Sequence, residues 1–233
     1  MRLNKFIAET GVTSRRGADG WIEAGRVSVN GELATLGTQV NDGDTVCVDG
    51  KPIGAASAHV YLALNKPAGI TCTTERHVAG NIVDFIKHRE RIFPIGRLDK
   101  DSDGLILLTN NGDIVNEILR SENNHEKEYR VTVNRTVTPS FITAMSRGVY
   151  LTELEERTKP CKIDALGEFS FKIILTQGLN RQIRRMCAAF DYKVVRLQRV
   201  RIINVRLGNL KVGAWRDLTP EELKGLLPER SNW

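Results

Sequence analysis

Asp99 stands in the densest charged run of the chain, Pro94-Ile95-Gly96-Arg97-Leu98-Asp99-Lys100-Asp101-Ser102-Asp103-Gly104-Leu105. Glycines bound this loop, and Arg97 and Lys100 lie beside the carboxylate. Ile92, Phe93 and Ile95 before it, and Leu105 to Leu108 after it, look like strands. Rigid scaffolds present reactive groups on loops of this kind, so Asp99 is a candidate catalytic carboxylate. The same letters also spell D-x-D-x-D-G, the opening of a calcium-binding loop. That loop needs a bidentate Glu at its twelfth position and flanking helices. Here the position holds Asn110 and the flanks read as strands, so no metal is expected. A solvated acidic turn is the third reading.

Two further runs bear on the choice. Glu126-Lys127-Glu128-Tyr129-Arg130-Val131 offers a lysine and an aromatic ring, and Gly178-Leu179-Asn180-Arg181-Gln182-Ile183-Arg184-Arg185-Met186 offers a basic helix. The first loop resembles the G-R-L-D signature of pseudouridine synthases, the second run their K-x-Y element. The third resembles the G-x-N-R-Q-I-R-R-M helix of the branch that modifies ribosomal RNA of both subunits. All three stand in the family's order and spacing. Asn124-His125-Glu126-Lys127-Glu128-Tyr129 and Asn81-Ile82-Val83-Asp84-Phe85 narrow the likeness to a large-subunit enzyme within that branch.

The resemblance implies an isomerase that breaks the N1–C1′ bond of a uridine, turns the detached base and joins C5 to C1′. Asp99 is then the one catalytic carboxylate, attacking C1′ or removing the 2′ proton, and the residues do not choose between these. Tyr129 packs on the base, and its hydroxyl is a candidate for removing the C5 proton. Arg184 is the cation partnered with Asp99; a bidentate fork fits that role and opposes the rise in pKa that desolvation would cause. Arg97 is a candidate to fill the gap left by a flipped uridine or to hold its phosphate, unless it pairs with Asp101 or Asp103. Leu98 and Ile183 line the pocket, and Arg181 and Lys127 complete the substrate contacts. An isomerisation needs no cofactor, and the sequence has no phosphate-binding glycine loop, dinucleotide fingerprint or metal-ligand cluster.

The elements that must position these groups fall into two parts. In residues 1–52, Leu3, Phe6 and Ile7 recur at helical spacing, with Gly11 as the expected C-terminal stop. Thr13 or Ser14 can cap a second helix carrying Trp21 and Ile22 inward. The alternating Gly25-Arg26-Val27-Ser28-Val29-Asn30-Gly31 and Asp44 to Val48 read as strands. This order, with S-R-R opening the second helix, resembles the S4 RNA-binding domain. Arg15, Arg16 and Arg26, with Arg2 and Lys5, are then expected to meet RNA phosphates. Gly17 and Gly20 each cost the second helix about 1 kcal/mol relative to Ala.

Residues 53–59 read as a short linker. Residues 60–233 read as an α+β catalytic domain, a mixed and mainly antiparallel sheet with flanking helices, as in the pseudouridine synthase fold. Strands are expected near 60–64, 129–133, 169–175, 201–205 and 207–212. Helices are expected near 82–86, 114–119 and 181–190, with a final one capped by Thr219 and Glu222.

Composition is compatible with an RNA partner. Lys and Arg number 34 against 28 Asp and Glu, for a formal charge of +6. Basic residues crowd between 181 and 201, and Arg185, Arg199 and Arg201 are expected as exposed backbone contacts there. The four cysteines show no pairing motif and read as reduced thiols. No signal peptide or membrane-length apolar run is seen. The expectation is a cytoplasmic monomer acting on ribosomal RNA, free or in a pre-ribosomal particle. The large subunit's RNA is the expected target. The alternatives are the same chemistry on a transfer RNA stem-loop or on small-subunit ribosomal RNA, or a non-catalytic RNA-binding or ribosome-assembly role.

Overall fold

The computed structural model describes residues 1–54, 58–75, 77–119 and 124–227. Contacts divide the chain into residues 1–60 with 88–92, and residues 61–87 with 93–233. The centre of the expected linker, residues 55–57, and the chain end at 228–233 lie outside the described residues.

In the first unit, α1 (Leu3–Glu9) and α2 (Arg15–Glu23) precede β1 (Val27–Val29), β2 (Glu32–Leu33), β3 (Val46–Val48) and β4 (Lys51–Pro52). The strands pair antiparallel in the order β2-β1-β3-β4. Leu3 and Ile7, one helical turn apart, join Ala18, Ile22, Val27, Val40 and Val46 in one core. Ser14 is the residue that caps α2, its hydroxyl accepting from the Gly17 N–H at 3.0 Å.

The two glycines of α2 turn out to differ. A Cβ at Gly17 would run into the Thr13 hydroxyl, whereas one at Gly20 would meet nothing within 4 Å. Gly20→Ala is therefore expected to steady α2 by about 1 kcal/mol. Deuterium uptake of the α2 amides in the full chain should slow roughly fivefold. Gly17→Ala should bring no such gain, and equal slowing in both variants would refute the distinction.

The second unit begins with β5 (Tyr61–Lys66), α3 (Ile82–Ile86), β6 (Phe93–Ile95), β7 (Asp103–Thr109) and α4 (Asp113–Leu119). It continues through β8 (Lys127–Val133), α5 (Pro139–Ser146), β9 (Tyr150–Leu151), β10 (Glu156–Arg157), β11 (Lys162–Gly167) and β12 (Ser170–Leu175). It closes with α6 (Gln182–Ala188), β13 (Val194–Ile202), β14 (Val205–Arg206), β15 (Trp215–Asp217) and α7 (Pro220–Leu226). The main sheet runs β11-β12-β8-β13-β7-β5-β15, with β6 also on β7 and β14 on β13.

Among these pairs only β13 with β7 is parallel, so the sheet is mixed and mainly antiparallel, as expected. Gly104 is what lets those two strands meet. It has φ +105°, and a Cβ there would fall 2.7 Å from the Arg199 backbone nitrogen. The glycine that looked like part of a metal loop is a strand-crossing device. Under the sheet, Ile95, Leu105, Leu107, Ile114, Ile118, Ile202, Leu218 and Leu226 share one core.

Two sequence expectations need correction. Residues 207–212 alternate like a strand but form a turn-rich connection. Gly208 there has a left-handed φ of +53°, and the Asn65 side chain pins the Leu210 carbonyl at 2.7 Å. The strand expected from Arg201 instead starts at Val194. No helix among the described residues is long and apolar enough to cross a membrane.

Candidate active site

The loop between β6 and β7 brings Asp99 to the rim of a cavity of about 770 Å³. That size suits a small-molecule site, commonly about 300–1,000 Å³. Pairing fixes its floor. Arg199 on β13 lies opposite Tyr129 on β8, Leu197 opposite Val131, and Ile202 opposite Lys127. Side chains two apart share a face of a strand. That puts Lys127 with Tyr129 and Leu197 with Arg199, and a register irregularity between Arg199 and Arg201 returns Ile202 to the same face, so all five line the cavity. Leu98 and Ile183, 7% and 4% exposed, supply apolar wall. Every expected substrate contact, Arg97, Leu98, Ile183, Arg181 and Lys127, lies in this lining.

Asp99 is partly exposed, with its Oδ2 3.6 Å from Arg181 Nη1 and 3.9 Å from Arg184 Nε. These distances are charge contacts rather than good hydrogen bonds. The expected bidentate fork between Arg184 and Asp99 is therefore absent from this structure. The guanidinium is engaged elsewhere. Its Nη2 donates to the Ser102 hydroxyl at 3.1 Å and the Asp101 carbonyl at 3.3 Å, and its Nη1 donates to the Val194 carbonyl at 3.3 Å. Nε is left enclosed without an acceptor, 3.9 Å from an Asp99 carboxylate oxygen. Arg184 thus ties α6 to the Asp99 loop and β13 from behind the cavity wall.

Asp101, not Asp99, takes the closer contacts. Arg181 donates to it at 3.3 and 3.2 Å, and Arg184 Nη2 lies 3.3 Å away. Burial alone would push the Asp101 carboxyl up, but the Arg181 hydrogen bond and both guanidinium charges hold it below its ordinary value. Asp103 pairs with Arg196 at 2.9 Å. The D-x-D-x-D-G carboxylates therefore face guanidinium groups, which answers the calcium reading with a positive observation. Arg97 is exposed and pairs with neither Asp101 nor Asp103. Arg181 itself sits at φ +50°, a left-handed conformation costly for a side-chain-bearing residue.

Buried groups that the sequence did not reveal hold this arrangement. Lys66 is fully buried, its ammonium donating to the Pro67 and Ile70 carbonyls at 2.9 Å. Burial lowers its pKa. Gln182 accepts from the Leu179 N–H at 3.0 Å and donates to Gln177, which in turn donates to Glu156 at 3.1 Å. Gln182 stands in a recognised run, so its place was readable, though its partners were not.

The expected basic stripe is largely not a free cationic face. Arg201 is committed to Glu126 at 2.9 Å and Glu128 at 3.1 Å. Arg185 pairs with Glu153 and bonds Asn180. Arg199 is 4% exposed and donates to the Leu105 and Arg97 carbonyls. Arg199 is buried, and Arg185 and Arg201 are half-buried and paired with carboxylates, so none of the three is the exposed free cation expected.

In the first unit, Arg26 bonds Asp49 at 2.9 Å and lies 5.1 Å above the Trp21 ring. Lys5 pairs with Glu9 at 3.6 Å. Arg2, Arg15 and Arg16 are exposed. Burial pushes the Cys161 thiol up to about 11 and the Cys187 thiol to about 12, the behaviour of unreactive thiols.

The sequence profile for the RNA pseudouridylate synthase family matches residues 60–189, and that for the S4 domain matches residues 1–46. The chain is 56% identical over 225 residues to the dual-specificity RNA pseudouridine synthase RluF of Escherichia coli K12, spanning 96% of this chain and 77% of that protein. It is 36% identical to the ribosomal large subunit pseudouridine synthase B of Bacillus subtilis, over 97% and 95% of the two chains. A crystal structure of a pseudouridylate synthase superposes with TM-score 0.72 at 32% identity, covering 97% of this chain and 99% of that one. The family profile covers more than half of the chain and the likeness to these relatives runs over nearly all of it, so the chain belongs to the RNA pseudouridylate synthase family.

Proposed function

We propose that the protein isomerises a specific uridine of large-subunit ribosomal RNA, with a transfer RNA stem-loop as a second substrate. One observation carries the reading: Asp99 stands on the rim of a cavity walled by Tyr129, with the Arg184 guanidinium held behind its carboxylate. Two relatives, a dual-specificity RNA pseudouridine synthase and a ribosomal large-subunit one, support the choice of RNA.

In this reading the uridine is flipped into the cavity and Tyr129 packs on the uracil. Asp99 attacks C1′ or takes the 2′ proton as the N1–C1′ bond breaks. The base turns, C5 joins C1′, the C5 proton leaves and N1 gains one, so reactant and product are isomers. Arg97 lies at the rim, where a flipped nucleotide's phosphate would pass.

Arg15 and Arg16 open α2, where a helix dipole disfavours cations by about 0.3–1 kcal/mol. RNA phosphates would offset that cost, so this end of the S4 domain is the proposed backbone contact, and Arg2, exposed at the start of α1, is proposed as a further one. A monomer in the cytoplasm, meeting free RNA or an assembling ribosomal particle, completes the proposal.

The test is carbodiimide mapping of pseudouridine in cells with and without the gene. One ribosomal site should vanish and return with the wild-type protein but not with Asp99→Asn. An unchanged map of ribosomal and transfer RNA would overturn the reading.

A further inference from the structure

In and just behind the cavity wall stand two groups of cations in opposite electrostatic states. Arg181 and Arg184 are matched by the carboxylates of Asp99 and Asp101. Lys127 and Arg199 have no carboxylate partner among the described residues. Lys127 makes only a long 3.4 Å contact with the His125 carbonyl. Arg199 donates through Nε to the Leu105 carbonyl at 2.7 Å and through Nη1 to the Arg97 carbonyl at 3.3 Å. Its Nη2 is enclosed and has no acceptor at all.

A buried guanidinium nitrogen without an acceptor is costly and calls for an explanation. The register strengthens the case. Arg199 stands opposite Tyr129, and Lys127 lies two residues from Tyr129 on the same face of β8. The two cations therefore border the ring expected to carry the base, on the sheet side of the cavity, while Asp99 approaches from the loop side. The only other carboxylate in the lining, Glu156, is held by Gln177.

The chemistry supplies the missing anion. When N1–C1′ breaks, the bonding pair stays on the base, spread over N1 and the carbonyl oxygens, and C1′ becomes electron-poor toward Asp99. The charge is discharged when C5 bonds to C1′, after which C5 loses its proton and N1 gains one. We propose that Lys127 and Arg199 form an anion-holding pair for the detached uracil, taking up the charge on its carbonyl oxygens between bond cleavage and rejoining. Burial pushes the Lys127 pKa down and the neighbouring Arg199 charge pushes it further, so an arriving anion relieves a strain the empty site carries. Fixed donors aimed at developing charge act strongly in such a site. The inference rests on the proposed uridine site and adds the role of these two residues.

The test compares full-length wild type with Lys127→Met and Lys127→Arg. Single-turnover rates are measured at saturating large-subunit RNA transcripts containing uridine or 5-fluorouridine, with conversion followed by nuclease digestion and chromatographic separation of the N-glycoside from the C-glycoside of equal base composition. On 5-fluorouridine, which has no C5 proton to lose, the readout is disappearance of the N-glycoside. Fluorine stabilises the departing base anion, so a variant lacking the anion holder should be partly spared on it. Lys127→Met should lose about 10²–10³ in rate on uridine. Its loss on 5-fluorouridine should be at least about tenfold smaller, RNA affinity should stay within about twofold, and Lys127→Arg should recover most of the rate.

Equal losses on both bases with weakened binding would replace the proposal by a phosphate contact. Equal losses with intact binding would reduce Lys127 to a structural part. An active wild type matched by Lys127→Met overturns this inference alone. A wild type inactive on every transcript overturns the proposed function with it.

Discussion

Asp99→Asn should abolish turnover, lowering the single-turnover rate by at least about 10⁴-fold, the scale seen when the one group that performs the bond chemistry is removed. The substitution keeps the shape of the side chain and leaves it a hydrogen-bond acceptor. The Asp99 carboxylate makes only 3.6 and 3.9 Å contacts with Arg181 and Arg184, so little structure depends on it. The Asp101 contacts with Arg181, and the Arg184 bonds to Ser102 and Val194, survive the change and hold the loop in place. Thermal stability and RNA affinity should therefore stay close to wild type while product disappears. Tritium release from C5-labelled RNA measures the loss, and filter binding checks the affinity. Residual activity near the wild-type rate would remove Asp99 from the chemistry and return the loop to a structural turn.

The parts of the fold that were legible in the sequence are those fixed by local rules. Alternation and apolar runs marked the strands either side of Asp99, now Phe93–Ile95 and Asp103–Thr109. Capping residues marked the starts of α2 at Ser14 and of α7 at Thr219, where both arms of the capping box are formed. The three motif runs singled out Asp99, Tyr129 and Arg184; Asp99 and Tyr129 line one cavity, while Arg184 stands behind its wall, 3.9 Å from the Asp99 carboxylate.

What was not legible depends on partners far away in sequence. Arg201 looks like a free cation until Glu126 and Glu128, more than seventy residues earlier, arrive across a strand pair. Arg199 looks like its exposed neighbours until the parallel pairing with Gly104 draws it beneath the surface. Lys66 sits in an ordinary turn sequence, and only the fold shows that its ammonium is sealed among carbonyls. Residues 207–212 have strand-like alternation, but a single buried amide from Asn65 decides their path. Charge patterning reports how much charge a segment carries, while tertiary pairing decides how much of it faces solvent.

Arg184 separates two meanings of a positive charge near Asp99. If charge alone were needed, Arg184→Lys would work nearly as well as the native residue. The geometry predicts otherwise. One guanidinium simultaneously reaches the Ser102 hydroxyl, the Asp101 carbonyl and the Val194 carbonyl while its Nε stands 3.9 Å from Asp99. A lysine ammonium is a single point and cannot span those acceptors. Arg184→Lys should thus lower the single-turnover rate by about 10–10²-fold, and Arg184→Gln, which also removes the charge, by about 10²–10³-fold. Each lost bond to a charged donor costs about 1.5–3 kcal/mol, so both variants should also melt at lower temperature. The side chain is only 13% exposed and lies behind the cavity wall, so RNA affinity should hardly change. Rates taken well below the melting temperature, with binding measured in parallel, keep the two effects apart. A lysine variant with wild-type rate and reduced stability would mean that Arg184 only braces the fold. A rate loss with binding intact would mean that the placement of its Nε beside Asp99 is what the reaction uses.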